Sequence, residues 1–144
     1  MTAKSLLFLI EKTHKQINEH TSRLFREQGA PITKDQWAVL KEVVDKPEST
    51  QKQIADFTLK DPAALTRILD LLEKNELIQR RQNLDDRRSY RLIPSVEGSR
   101  LVARLQPLVE NLEKLIVSTL NDEELEDVLK QLGKLNQGLG TNLS

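Results

Sequence analysis

The sequence contains no cysteine among its 144 residues. This absence excludes disulfide bonds, thiol nucleophiles, cysteine-based redox sensing and every zinc site built on thiolates. Only two histidines are present, and His14 and His20 lie six residues apart in a predicted helix, where they point to different faces. We therefore expect neither a metal site nor a cofactor.

Long hydrophobic runs are missing as well. The longest wholly apolar run, residues 6–10, is far too short to cross a bilayer or to serve as a signal peptide. Charged residues make up 31% of the chain and aromatic residues only 3%. We expect a soluble cytoplasmic protein that makes no membrane contact, with the length of one ordinary domain.

The residue patterns that catalysis requires are also absent from the sequence. There is no nucleophile paired with a base, no pair of carboxylates in an apolar setting and no glycine-rich phosphate loop. We predict that the protein is not an enzyme.

Helical periodicity dominates what is present. Apolar residues spaced three or four apart over residues 6–24 predict one long helix, whose first turn is apolar on every side. Three shorter helices are predicted at residues 33–44, 50–59 and 61–74. The first two begin with the capping-box pattern Thr-x-x-Gln, and the third begins at Asp-Pro. The short connection between the second and third predicts a helix-turn-helix.

The hydrophobic period changes from about 3.6 to about 2 residues after position 75. Two strands are predicted at residues 77–81 and 89–93, and the segment QNLDDRRS between them forms the tip of a hairpin, or wing. Helical periodicity then resumes at residue 95 and keeps its register across Pro107, and a last helix begins near Asn121. The predicted fold class is mainly α with a small β-hairpin wing.

Charge is segregated along the chain although the net charge is zero. Residues 79–91 hold five arginines against two acids, whereas residues 110–130 hold seven acids against two lysines. Basic residues concentrated on one hairpin are typical of a surface that binds phosphates. The alternative is a solvated loop whose ion pair contributes at most about 1 kcal/mol.

The segments ITKDQWAVL, STQKQIADFT and DPAALTRILDLLEKNELIQRRQNLDDRRSYRL together resemble the MarR family of bacterial winged helix-turn-helix regulators. The most specific pieces are LLEK and LIQR, followed by Asp-Arg-Arg at the wing tip. The resemblance implies one chain, residues 1–144, with a winged helix-turn-helix DNA-binding lobe at 32–94. It also implies a helical dimerisation region from both termini, at residues 4–28 and 95–140.

Two positions depart from the family pattern. Glu76 stands where the family usually has the glycine that ends the recognition helix, so we expect Asn75 or Glu76 to adopt the left-handed conformation. Pro94 and Ser95 replace the usual Leu-Thr, and we expect the hydroxyl of Ser95 to cap the helix that follows.

The resemblance places the helix at residues 61–74 in the major groove of DNA. Its candidate base-contacting residues are Ala63, Ala64, Thr66 and Arg67. Arginine can donate two hydrogen bonds to guanine, threonine can bond a base edge or a phosphate, and alanine can contact a thymine methyl group. Taken alone, these side chains also fit an ordinary solvated helix face.

Arginines at a wing tip suit the minor groove, where narrow A·T tracts concentrate negative potential. We expect Arg87 and Arg88 to enter that groove. The resemblance implies that Asp86 pairs with Arg88 and holds its direction. The candidate phosphate contacts are Thr50, Lys52, Arg80, Arg81 and Arg91.

We predict a homodimeric, sequence-specific regulator, a repressor that binds a pseudo-palindromic operator in double-stranded DNA. The resemblance to the MarR family implies that a small-molecule effector releases it. The apolar stripes of the terminal helices fit a dimer interface and equally fit an intramolecular helical core. The candidate effector contacts, each of which also fits plain core, are Phe8, His14, Trp37 and Phe57. The alternative function is a winged-helix module that contacts proteins through its acidic surface and does not read DNA sequence.

Overall fold

A computed structural model describes the backbone of residues 3–143 and the side chains of residues 5–140. Over that part of the chain, six helices and three short strands follow one another. They are α1 (Ala3–Glu27), α2 (Lys34–Asp45), β1 (Ser49–Thr50), α3 (Gln51–Thr58), α4 (Pro62–Lys74), β2 (Ile78–Gln82), β3 (Tyr90–Pro94), α5 (Val96–Val117) and α6 (Asp122–Leu143). The predicted fold class is confirmed. Among the helices of residues 3–143, none is long and apolar enough to cross a membrane.

The chain divides into two compact units after Leu108, inside α5. The first unit contains α1 to α4, the sheet and the start of α5. The second contains the rest of α5 and α6. Helix α5 continues through Pro107, as the unbroken apolar register predicted.

The predicted helix starts are capped as their sequences indicated. Thr33 begins α2 and Thr50 begins α3, and in both cases a glutamine three residues later closes the capping box. Asp61 begins α4 by accepting the N–H of Ala64 at 2.9 Å. Leu59 ends α3 at φ 58, so the turn into α4 is tight and the two helices form the predicted helix-turn-helix.

The core of the first unit lies between α2, α3, α4 and β3. Its completely buried aliphatic side chains are Val39, Leu40, Val43, Ile54, Leu65, Leu69, Leu72 and Leu92. Because three of these leucines lie on one side of α4, the opposite side of that helix is left exposed.

The sheet is antiparallel, with β3 in the centre and β1 and β2 at its edges. The sequence predicted only β2 and β3, since the two residues of β1 are too few to show a period of two. In the observed register Arg81 and Thr50 both lie opposite Arg91, one on each neighbouring strand. Strand β1 therefore joins the start of α3 directly to the wing.

The connection from α4 to β2 requires one residue in the left-handed conformation. Glu76 adopts it at φ 59, whereas Asn75 stays at φ −87. Of the two residues considered from the sequence, the structure therefore uses the one less suited to positive φ.

The start of α5 packs closely against the start of β2. Ser95 caps the helix as predicted, because its Oγ accepts the N–H of Gly98 at 2.9 Å and donates to the carbonyl of Glu76 at 2.8 Å. A Cβ atom at Gly98 would lie 2.2 Å from the carbonyl oxygen of Leu77. This contact fixes where the wing begins relative to α5.

Candidate nucleic-acid interface

Helix α4 presents an exposed surface opposite its buried leucines. Ala63, Thr66 and Arg67 are exposed and Ala64 is half-buried. Within residues 5–140 the guanidinium of Arg67 makes no ion pair or hydrogen bond with another side chain. Its five N–H donors are therefore available to a base edge.

The hydroxyl of Thr66 is already engaged within the protein. It donates to the carbonyl of Pro62 and accepts from Nε2 of Gln51, both at 2.8 Å. These bonds link α3 to α4 through Thr66, whose contact with DNA stays a prediction. Gln51 was missed from the sequence because its partner lies fifteen residues away.

Arg80 was predicted to contact a phosphate, but its side chain is engaged within the protein. Its guanidinium binds Asp70 at 2.8 Å and Glu73 at 3.1 Å, and its backbone N–H donates to Glu73 at 3.0 Å. The side chain is only 15% exposed, because in the register Arg80 lies opposite Leu92 and shares its inward-facing side of the sheet. Arg80 therefore fastens β2 to α4 and neutralises two acids beside the recognition surface.

The wing tip is organised around Asn83, a residue that is 7% exposed. Its backbone N–H donates to the carbonyl of Ser89, and Nδ2 donates to the hydroxyl of the same residue, both at 3.1 Å. Its Oδ1 accepts from the N–H of Asp85 at 3.2 Å and from Nε of Arg91 at 3.3 Å. Asparagine commonly stabilises turns in this way, so the residue type was the signal that sequence reasoning overlooked.

Asp86 does not form the expected ion pair with Arg88. Its Oδ1 accepts the backbone N–H of Arg88 at 3.0 Å, and its own carbonyl accepts the N–H of Ser89 at 3.1 Å. A short side chain two residues earlier in a tight turn reaches the backbone more readily than a distant guanidinium. Among the described side chains, the guanidinium groups of Arg87 and Arg88 consequently have no partner.

Arg91 was also predicted to contact a phosphate, but its guanidinium is engaged within the protein. Nη1 donates to the carbonyl of Glu48 at 3.0 Å and Nη2 lies 3.4 Å from a carboxylate oxygen of Asp85. Its guanidinium thus braces the wing against the segment before α3. Lys52 and Arg81, by contrast, are exposed and unpaired within residues 5–140.

A groove runs between α4, the start of α3 and the wing. One part, about 490 Å³, is lined by Gln51, Thr66, Glu73, Arg80 and Tyr90. A second part, about 540 Å³, is lined by side chains that include Lys52 and Arg88, and Gln51 and Tyr90 line both parts. Tyr90 was not singled out from the sequence.

The four predicted effector contacts have separate surroundings in the single chain. Trp37 is buried and its indole N–H donates to a carbonyl of α5 at 3.4 Å. Phe57 is half exposed beneath the ammonium group of Lys46, which lies 3.4 Å from the ring centroid. Phe8 and His14 are exposed on α1. On α1 the ammonium group of Lys12 lies 6.0 Å from the Phe8 ring centroid, and Nδ2 of Asn18 lies 3.0 Å from Nε2 of His14. Core packing therefore accounts for Trp37, and cation–π or hydrogen-bond contacts within the chain involve the other three.

The described part of the chain contains no group of three or more histidine or acidic side chains arranged to hold a metal ion.

Comparison with known proteins gives matches over nearly the whole chain. The family model described as MarR family matches residues 32–90. The HTH-type transcriptional regulator MhqR of Bacillus subtilis (strain 168) is 30% identical over 138 residues, which cover 92% of this chain and 94% of MhqR. The crystal structure of the S. aureus MepR–DNA complex superposes with a TM-score of 0.84 at 23% identity, covering 96% of this chain and 99% of MepR. Bordetella bronchiseptica BpsR, whose DNA binding is regulated by 6-hydroxynicotinic acid, gives a TM-score of 0.81 at 18% identity over 92% and 98% of the two chains.

Proposed function

Because the chain belongs to the MarR family of transcriptional regulators, we propose that it is a homodimeric, sequence-specific DNA-binding repressor released by a small-molecule effector. Members of this family regulate transcription and are not enzymes. The observation that carries the proposal is a set of unpaired arginines, Arg67 on α4 and Arg87 and Arg88 on the wing. The neighbouring Arg80 and Arg91 are instead paired within the protein.

In the proposed complex α4 enters the major groove. Arg67 donates two hydrogen bonds to O6 and N7 of a guanine, and Ala63 and Ala64 allow the helix to approach a thymine methyl group. The acids on the same helix do not repel the DNA strongly, since Arg80 neutralises Asp70 and Glu73.

The wing enters the adjacent minor groove, where Arg87 and Arg88 meet the negative potential of a narrow A·T tract. The bonds of Asn83 hold the backbone of the tip in place, so less conformational entropy is lost when the arginines bind. Lys52 and Arg81 contact phosphates, and Thr50 contributes through the start of α3.

Dimer formation is supported by exposed apolar side chains on the terminal helices, each described by itself. Helix α1 exposes Leu6, Leu7, Phe8, Leu9 and Ile10. Helix α6 exposes Val128, Leu129, Leu132, Leu135 and Leu139. Contiguous apolar surfaces of this kind mark interaction sites on soluble proteins. Two copies would then read two half-sites about 34–36 Å apart on a pseudo-palindromic operator.

Release by an effector is supported by BpsR, whose DNA binding responds to a small aromatic acid. We keep Phe8 and His14 as proposed effector contacts, because both are exposed on α1. An effector that binds at the dimer surface would change the separation of the two α4 helices and so weaken binding to a fixed operator.

The experiment is a fluorescence-anisotropy titration, at several salt concentrations, of an operator duplex selected from a random pool and of a scrambled duplex. Arg88→Ala should weaken operator binding by about tenfold, or about 1.4 kcal/mol. Arg100→Ala on α5, which removes an exposed arginine paired only with Glu97, serves as the matched control and should bind like wild type. The endpoint should show two chains per duplex.

Equal, weak binding of both duplexes that does not respond to Arg88→Ala would contradict the proposal. A shallow dependence of affinity on salt would then favour the alternative, a winged-helix module that contacts proteins, because phosphate neutralisation predicts a steep log–log slope.

A further inference from the structure

Two elements of one protein can enter adjacent grooves of a duplex only if the intervening strand passes between them. In B-DNA each major groove is separated from the neighbouring minor groove by one sugar–phosphate strand. If α4 lies in the major groove and the wing in the minor groove, that strand must run between them. The structure has an open groove at this place, lined by Gln51, Thr66, Glu73, Arg80 and Tyr90.

We infer that this groove is a binding site for the DNA strand between the two grooves, with Tyr90 and Gln51 as neutral hydrogen-bond donors to its phosphates. The inference rests on the proposed function, since it assumes that α4 and the wing contact one duplex. It adds two residues outside the set of predicted DNA contacts.

Tyr90 is placed and equipped for this role. It is the chain's single tyrosine, is 47% exposed, and lies on β3 two residues before the buried Leu92, on the same side of the strand. Its ring therefore lies at the edge of the core. In the described part of the chain its hydroxyl has no hydrogen-bond partner, so it is available as a phosphate donor.

Gln51 faces the same space from the first position of α3. One N–H of its carboxamide donates to the hydroxyl of Thr66 at 2.8 Å, which fixes the orientation of the group. The amide nitrogen carries a second N–H, and this donor remains for a phosphate oxygen. Since Thr66 lies on α4, the same bond couples a phosphate contact to the position of the recognition helix.

The charges around the groove suit a phosphodiester. Glu73 lines it, but both of its carboxylate oxygens are engaged by Arg80. In the adjoining part, Lys52 and Arg88 are unpaired, while the carboxylate of Asp86 accepts a backbone N–H. Along the path of the strand there are therefore two unpaired cations, Lys52 and Arg88, and one carboxylate without a cationic partner, Asp86.

The test is to delete the Tyr90 hydroxyl and measure both affinity and its dependence on salt. Tyr90→Phe should bind operator and scrambled duplex about five- to tenfold more weakly, because a bond to a phosphate does not depend on base sequence. The log–log slope with salt should not change, since no charge is lost. Lys52→Ala should weaken binding and lower the slope by about one.

Two further measurements separate this site from a structural effect. Ser22→Ala, which removes an exposed hydroxyl on α1, should bind DNA like wild type, and Tyr90→Phe should unfold at the wild-type urea concentration. A duplex in which one phosphate at a time is replaced by a methylphosphonate locates the contact. At one position the replacement should weaken DNA binding by wild type, and at that same position it should have little further effect on DNA binding by Tyr90→Phe. Gln51→Ala should also weaken binding to both duplexes, and to a similar degree.

Wild-type affinity of Tyr90→Phe, a changed salt slope, or a loss confined to the operator would each overturn the inference. Failure of the proposed function has a different signature, because wild type would then bind operator and scrambled duplex equally. An equal, sequence-independent loss for Tyr90→Phe in that case would still support the strand site.

Discussion

Gly98→Ala tests the close packing between α5 and the start of the wing. The new Cβ would lie 2.2 Å from the carbonyl oxygen of Leu77, 3.1 Å from its carbonyl carbon and 3.4 Å from Cδ1 of Leu40. A carbon and an oxygen that are not bonded approach only to about 3.3 Å. The helix or the Leu77 carbonyl must therefore move by about 1 Å.

The movement has a cost that follows from the bonds at this place. The Leu77 carbonyl accepts the N–H of Ser95 at 2.9 Å and lies 3.1 Å from its hydroxyl oxygen. Weakening these bonds costs about 1 kcal/mol each, and overpacking adds about 1–3 kcal/mol. Alanine recovers less than about 1 kcal/mol through its helix propensity. We expect a net loss of about 2–4 kcal/mol in the free energy of unfolding, or a Tm lower by about 5–15 °C.

Urea denaturation followed by circular dichroism, at one fixed protein concentration, measures this loss. Gly133→Ala in α6 is the matched control, because a Cβ there meets no atom within 4 Å. It should stabilise the protein by about 0.5–1 kcal/mol. If Gly98→Ala were as stable as wild type, the inferred rigidity of the contact between α5 and β2 would be wrong.

Two further substitutions test other contacts of the DNA-binding lobe. Glu76→Gly should raise the free energy of unfolding by up to about 1 kcal/mol, since residue 76 has φ 59 and glycine adopts positive φ without strain; a lower urea midpoint would contradict this. Arg80→Met should destabilise the fold by about 1–2 kcal/mol, an amount reduced by the partial exposure of Asp70 and Glu73, and should weaken DNA binding by about tenfold. Adding Glu73→Gln should restore part of that affinity, and no recovery would show that charge repulsion is not the cause.

The features that the sequence predicted correctly depend on neighbours along the chain. The capping boxes at Thr33 and Thr50 join residues three positions apart, so a local pattern was sufficient. The helical cap at Ser95 was also predictable for this reason. The apolar spacing of α4 likewise indicated which of its sides is buried.

The roles that were not predicted depend on the register between distant segments. Arg80 meets Asp70 only because β2 packs on α4, and Arg91 reaches the carbonyl of Glu48 across 43 positions of sequence. Sequence alone does not distinguish a bracing arginine from one that is free for DNA. For Asp86 the sequence indicated the correct partner residue but not the correct group. The carboxylate accepts the backbone N–H of Arg88 and does not pair with its guanidinium.

The double ion pair of Arg80 has a consequence for which DNA sites the protein tolerates. Because it fastens β2 to α4, the base pairs that the helix and the wing touch in the proposed complex would lie at a constant offset within a half-site. An insertion between them cannot be absorbed by bending the wing away. In the proposed dimer, any permitted variation in operator length would therefore fall in the spacer between half-sites, and the two copies would shift as whole bodies to follow it.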